Sequence, residues 1–418
     1  MSPFAVSPTR NRTHRRAARR TLQVESLERR DLLAIMGGNV TAQLVGSTLL
    51  LTGDAQSNQL AVASVTGGRI AVLGNNTTVN GSTDPFVTSR PVVSIIANLN
   101  GGDDLIGFGN TADGFADQLN SFNAGDPFNP PTLQAAINAV ADGATTFSIP
   151  GGLTITGGTG DDAIGVIGNV GGSVAVNLGP SSKDGNGFAI GGDNVAYASR
   201  VGGVVSVVGG AQSDLVGIVR TTVVGGIATA LGNGANGLYL SESTAASLAY
   251  TGGSGEDDVD VADARFRYGV SVATGGGDDE IYLHEHGGPR TIVGGGMVVD
   301  EGTGDDYVEI SSGVSGGLTV ATGAGDDEVD IYETDVGLSA AVDTLGGDDQ
   351  VRISDTRVRF SLLVALGAGN DRLELSDVGA FAAFLYGGPG TNELDVDAAS
   401  RAAIRRLFYA QFQTVVTT

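Results

Sequence analysis

The chain of 418 residues holds 67 Gly but only 11 Pro, has no Cys and no Trp, and is 41% apolar. This excludes collagen, a disulfide scaffold, a thiolate metal site and a fully disordered polymer. The formal charge of −24 repels nucleic acid and anionic membrane and attracts cations, although acidity also keeps a surface soluble without any partner.

The charge is unevenly placed. Residues 1–35 carry eight Arg against three acids, which leaves +5, so the remainder is −29. Between 251 and 400, 30 acids face seven Arg. No apolar run approaches the roughly 18 residues of a membrane-spanning helix, so no transmembrane segment is expected.

Residues 1–36 read as a disordered, basic export segment. Its apolar piece, Leu32 to Met36, is too short for an ordinary secretory signal. Leu27-Glu28-Arg29-Arg30-Asp31-Leu32-Leu33 resembles the LEPR-xLL signature near the N-terminus of large secreted or surface proteins of planctomycete bacteria, with Arg29 where the signature has Pro. The resemblance implies export, to the cell surface or the extracellular space.

Residues 37–397 carry a repeat. From residue 100 a phrase of the form Gly-x-Gly-Asp-Asp-x-Val-x-Ile recurs. Its second acid falls at Asp104, Asp162, Asp193, Asp214, Asn236, Asp257, Asp279, Asp306, Asp327, Asp349, Asp371 and Asn392, with a weaker copy at Asn58. From Asp193 onward the spacing is 21–22 residues, apart from one interval of 27 that holds His284 to Pro289. Such a period signals a solenoid. Apolar residues stand two and four places after each acid (Val259/Val261, Ile281/Leu283, Val329/Ile331) and nine and seven places before it (Val270/Val272, Leu318/Val320). Alternation with period two means strands with one buried face, and stacking equivalent strands buries those faces. The expected fold is all-β, a right-handed parallel β-helix of 21–22-residue coils, with an excursion near 107–150.

Stacking places equivalent turns ~4.8 Å apart. One edge then carries Asp103/Asp104, Asp161/Asp162, Glu256/Asp257, Asp278/Asp279, Asp305/Asp306, Asp326/Asp327, Asp348/Asp349 and Asn370/Asp371. Like charges at that spacing repel by about 1 kcal/mol per pair in water and several-fold more at a partly dry edge. Calcium, a hard cation that takes carboxylate and carbonyl oxygens, would neutralise them. Gly-Asp-Asp is also a tight-turn sequence that needs no metal.

The turns resemble the hemolysin-type (repeats-in-toxin) calcium-binding nonapeptide GGxGxDxUx. Gly157–Gly165 and Gly252–Asp260 match at every fixed position, and Gly387–Asp395 matches except for Asn392. The turns at Asp279, Asp306, Asp327 and Asp371 lack the first Gly. The family implies calcium held between successive turns of a parallel β-roll. It runs its nonapeptides in tandem with turns on both edges, whereas here one turn occurs per coil, so one calcium edge is expected. The turns at Asp193, Asp214 and Asn236 are degenerate.

Outside the turns, opposite charges alternate on the outward face, as in Asp330, Arg352, Glu374 and in Gln350, Arg372, Glu393. His284-Glu285-His286 could ligate zinc with a carboxylate as third ligand, or be a solvated insertion. Outward Tyr239, Tyr282, Tyr307 and Tyr332 read as scattered, which argues against a sugar cleft. Residues 398–418 lose the phrase, and Ile404, Leu407 and Phe408 share one helical face, so a C-terminal helical cap is expected.

The function expected is an exported calcium-binding structural or adhesion protein. Its partners would be calcium ions and extracellular matrix, polysaccharide or a cell-surface protein. The alternatives are a β-helix carbohydrate-active enzyme and a metal-free structural β-helix.

Overall fold

The computed structural model describes residues 37–110, 146–181, 185–192 and 198–417. The basic N-terminal segment, most of the 107–150 excursion and Asp193 lie outside them.

The fold is all-β and solenoid-like, built from three columns of parallel strands. The first holds the strands that follow each acidic turn, such as Asp258–Ala262, Glu280–His284, Tyr307–Ile310 and Glu328–Tyr332, paired in continuous register. The second holds strands of two or three residues, such as Arg265–Phe266, Thr291–Val293, Ser312–Val314 and Asp335–Val336. The third holds the strands that precede each turn, such as Val270–Gly276, Met297–Thr303 and Leu318–Ala321. Columns two and three merge where Arg357–Ala365 and Gly379–Tyr386 run through both.

Sequence periodicity showed only the first and third columns. A strand of two or three residues buries a single apolar side chain, such as Phe266, Val293, Val314 or Val336, and one residue has no period. Its corner is set by residues with positive φ, among them Glu242, Asp263, Glu333, Asp355 and Asp377. Hydroxyls just beyond this corner tie neighbouring coils. Ser243 Oγ accepts from Thr221 N–H at 3.0 Å and Thr334 Oγ1 from Ser312 N–H at 3.2 Å.

The interior is a set of stacked apolar rows. One of them, Ile281, Val308, Val329, Val351, Leu373 and Leu394, is fully buried along the first column. Alternation fits the register because a slip of one residue would turn the whole row to solvent.

Two expectations need correction. The stack does not begin as parallel coils: Asn39–Val45 with Thr48–Thr52, and Gln59–Val65 with Arg69–Gly74, are antiparallel hairpins. Gly46, Gly67 and Gly68 supply the positive φ values that such tight turns need. Nor does a helix run through the C-terminal segment. Helix α1 (Ala398–Ala403) starts at Asp397, whose carboxylate accepts from Ser400 N–H, and stops at Ile404, which is extended and buried. Beyond it Leu407–Ala410 pairs with Gly379–Tyr386, and Thr414–Val416 with Glu393–Val396. The preceding coil offers unpaired main-chain groups, and aromatic and β-branched residues suit that sheet edge better than a short helix.

Each acidic turn rests on a glycine column. Gly304, Gly325, Gly347, Gly369 and Gly390 have φ between 142° and 158°, and a Cβ at each would lie 1.6–1.7 Å from the carbonyl oxygen of the glycine one coil earlier. Gly325→Ala is therefore expected to cost ~3 kcal/mol or more. Gly287→Ala, at φ 80° but with open space around it, should cost ~1 kcal/mol or less. Urea unfolding midpoints of the two variants check this; equal costs would refute the close stacking of the turns.

Candidate functional site

The acids of each turn split into two ladders. The second acid points inward: Asp104, Asp162, Asp257, Asp279, Asp306, Asp327, Asp349 and Asp371 are each 2% exposed or less. Its Oδ1 accepts a hydrogen bond from the backbone N–H of the equivalent residue one coil earlier. The ladder runs unbroken from Asn58 to Gln413 with lengths of 2.6–3.2 Å. Asn186, Asn236 and Asn392 accept these bonds in the same way as aspartates, so the hydrogen bond itself needs no charge.

The ladder corrects the alignment of one turn. The rung between Asp162 and Asp214 is Asn186, which donates to Asp214 and accepts from Asp162 N–H. Asn186 is followed by buried Phe188 and Ile190, in register with Ile164 and Val166. That apolar pair was the legible signal, and the Gly-Gly-Asp at 191–193 masked it.

The first acid points outward, and its ladder runs in the opposite sense. Asp103 accepts from Asp161 N–H, Asp278 from Asp305, Asp305 from Asp326, Asp326 from Asp348 and Asp348 from Asn370, at 2.8–3.0 Å. Asn370 Oδ1 accepts in turn from Thr391 N–H. Glu256 is exposed at the same edge. Every residue expected at the acidic edge thus lies on it, nine of them buried, with Asp161 the one first acid among these, and seven at the rim.

Burial has a clear electrostatic consequence. The inner carboxylates lose water, and each has a like charge one coil away. Desolvation pushes Asp104 up to about 8, Asp162, Asp306 and Asp349 to about 7, and Asp257 to about 6. Oδ2 of Asp104, Asp162, Asp306 and Asp371 is buried without a hydrogen-bond partner, and that of Asp257, Asp279 and Asp349 makes no well-formed bond although the hydroxyls of Tyr250, Thr274 and Thr344 lie near enough to favour the ionised form.

The residue five places before the inner acid faces this oxygen. Where it is Gly157 or Gly252, a Cβ would sit 2.4 or 1.7 Å from the Oδ2 of Asp162 or Asp257. Where it is Thr322, the hydroxyl donates to Asp327 Oδ2 at 2.5 Å. Where it is Glu301, a second carboxylate is buried with both oxygens unpartnered, and desolvation with Asp306 nearby pushes it up to about 10. Sequence reading missed Glu301 because it precedes the phrase that defines the turn.

Among the described residues, no three His, Asp or Glu side chains converge so as to hold a metal ion. The zinc reading of His284-Glu285-His286 gains nothing from the geometry. His284 Nε2 lies 3.2 Å from Asp260 Oδ1 and Nδ1 3.6 Å from Glu309 Oε1, and these two carboxylates push it up to about 9. His286 sits in the exposed insertion.

The tyrosines on this outward face are not scattered. The rings of Tyr282 and Tyr307 are 5.5 Å apart, and Tyr307 and Tyr332 both donate to Glu309, at 3.2 and 2.6 Å. Burial alone would raise the Glu309 pKa, but the bonds from His284 and Tyr332 bring it below its ordinary value. The network closes on itself. The charge alternation expected on this face is present, with Arg352 on Asp330 at 3.2 Å and Arg372 near Glu393 at 3.8 Å.

Fold and site together define an all-β, solenoid-like protein with a carboxylate-lined turn edge. The chain matches no family model, no curated protein and no solved structure. Among the described residues, no helix is long and apolar enough to cross a membrane.

Proposed function

We propose that the three columns close into a right-handed β-helix serving as an exported structural or adhesion rod, with its acidic edge completed by calcium. The observation that carries this is the row of buried Oδ2 atoms without a well-formed hydrogen bond, which recurs in consecutive coils. A buried carboxylate oxygen left without a proton, donor or cation is strongly unfavourable.

The residues present fit the ion. The donors are hard oxygens, and at Gly157 and Gly252, where a Cβ would strike both Oδ2 of the inner aspartate and a main-chain carbonyl oxygen of the next coil, the absence of a side chain lets these two oxygens lie close together. Calcium there would be held by inner carboxylates of adjacent coils with main-chain carbonyls making up its shell, since no three acids converge. Bound calcium supplies charge neutralisation and a crosslink between coils. The resemblance to the calcium-binding nonapeptide and to the LEPR-xLL signature supports the same reading, including export to the cell surface or extracellular space.

One observation favours a metal-free structural rod instead: the asparagine rungs hold the same ladder without charge. Asp257→Asn separates the two. If calcium completes the edge, the variant binds fewer ions by titration calorimetry and loses ~1–3 kcal/mol of its stability in calcium. If the ladder acts alone, the variant is neutral or stabilised in chelator and calcium alike, and the calcium reading fails.

A further inference from the structure

The short-strand column carries a feature that neither the acidic edge nor the tyrosine network uses. The pattern Arg-x-Arg-aromatic occurs twice, as Arg265-Phe266-Arg267-Tyr268 and Arg357-Val358-Arg359-Phe360. In both copies the middle residue is buried, while the two Arg and the ring are exposed. In both, the second guanidinium lies over the ring, 5.3 Å from the Tyr268 centroid and 5.4 Å from that of Phe360. Among the described residues none of these four Arg has an ion-pair partner, in a chain of net charge −24.

The register places the two copies on one line. Arg265 pairs with Ile292, which pairs with Gly313, then Asp335, then Arg357. Four steps at ~4.8 Å separate the clamps by about 19 Å. Between them the small residues Gly313, Ser315 and Gly337 line an open groove of about 410 Å³ that reaches the second clamp at Arg357 and Arg359, with the Ile292 side chain and the Arg290 guanidinium lying over Gly313. The one acid on its floor, Asp335, is neutralised by Arg290 at 3.0 Å.

We propose that this trough binds an anionic polysaccharide of the uronate class, lying along the rod axis with carboxylates on the two Arg pairs and sugar faces against Tyr268 and Phe360. Paired guanidinium groups match carboxylates in two-point geometry, and aromatic faces suit ring hydrocarbon surfaces. A rod that is acidic elsewhere confines a polyanion to this strip. The strands of the floor are paired on both sides, so a peptide finds no edge on which to add main-chain bonds. The assignment does not depend on calcium at the opposite edge.

The probes are galacturonate oligomers, measured by calorimetry on the full chain in moderate salt. A long oligomer should bind at least about tenfold tighter than a disaccharide, because only the long one reaches both clamps. The pairs Arg265→Ala with Arg267→Ala, and Arg357→Ala with Arg359→Ala, should each lose about tenfold for the long oligomer and nothing for the disaccharide at the intact clamp. All four side chains are exposed, so melting curves should match the parent. Substitution by Lys should fail to restore binding. Dextran should not bind. The proposal is overturned if either pair of substitutions leaves binding unchanged, if length has no effect, or if polyglutamate of equal charge binds as well as the uronate.

Discussion

In chelator, the protein should become less stable as pH rises from 5 to 8, the reverse of ordinary acid denaturation. Five inner aspartates carry pKa values of about 6 to 8 in the folded state against 3.8 ordinarily. Their proton is held more tightly folded than unfolded. The stability linked to it is complete below the unfolded value and is lost as pH climbs through the folded values. Each unit is worth ~1.4 kcal/mol per group. Because neighbours share the load, a loss on the order of 5 kcal/mol across this window is expected, or about 10 °C in Tm. If calcium completes the edge as proposed, it binds the ionised form and should restore most of this at pH 8, flattening the profile. Calorimetric melts at pH 5, 6.5 and 8, with and without calcium, decide it. A Tm that rises with pH in chelator would mean that the inner carboxylates are solvated or otherwise paired.

Glu301→Thr should stabilise the metal-free protein. Glu301 is 0% exposed and both its oxygens lack partners. The flanking coils hold Thr274 and Thr322 at the same register position, and Thr344 follows one coil further on. At one of these the hydroxyl satisfies the inner aspartate directly. Replacing a buried, unpaired acid by the residue its neighbours use removes a desolvation cost and supplies a donor to Asp306. A gain of ~1–3 kcal/mol at pH 8 in chelator follows, a few degrees in Tm. Glu301→Gln should gain less, since it removes the charge but keeps the bulk. A lower Tm for the threonine variant would show that Glu301 has a role in the metal-free state that its neighbours lack.

Both outcomes concern one edge, and the adhesive surface proposed lies on another. The clamps at Arg265/Arg267 and Arg357/Arg359 are separated from the carboxylate ladders by the tyrosine-bearing first column. Ionic conditions that change one should leave the other intact: chelation should lower stability without changing uronate affinity at temperatures where the protein stays folded.

The repeat, the all-β class, the parallel stacking and the turn acids were readable from the chain alone. They depend on local rules that each coil repeats: apolar residues at alternate positions, glycine where a side chain would strike the coil below, and paired acids at a fixed place. What the chain could not announce depends on contacts between coils. The short-strand column buries one residue at a time and so has no period. The Asn186 rung had a local signal in Phe188 and Ile190, but its place in the ladder is set by its N–H and side chain meeting Asp214 and Asp162. The terminal segment has a helical pattern in isolation, yet pairs as strands because the preceding coil presents unpaired backbone. Tyr332 lies 23 residues from Glu309, and the two Arg clamps lie 92 residues apart, from Arg265 to Arg357. Only the winding of the chain, which turns a separation of 21–22 residues into one of ~4.8 Å, brings them together.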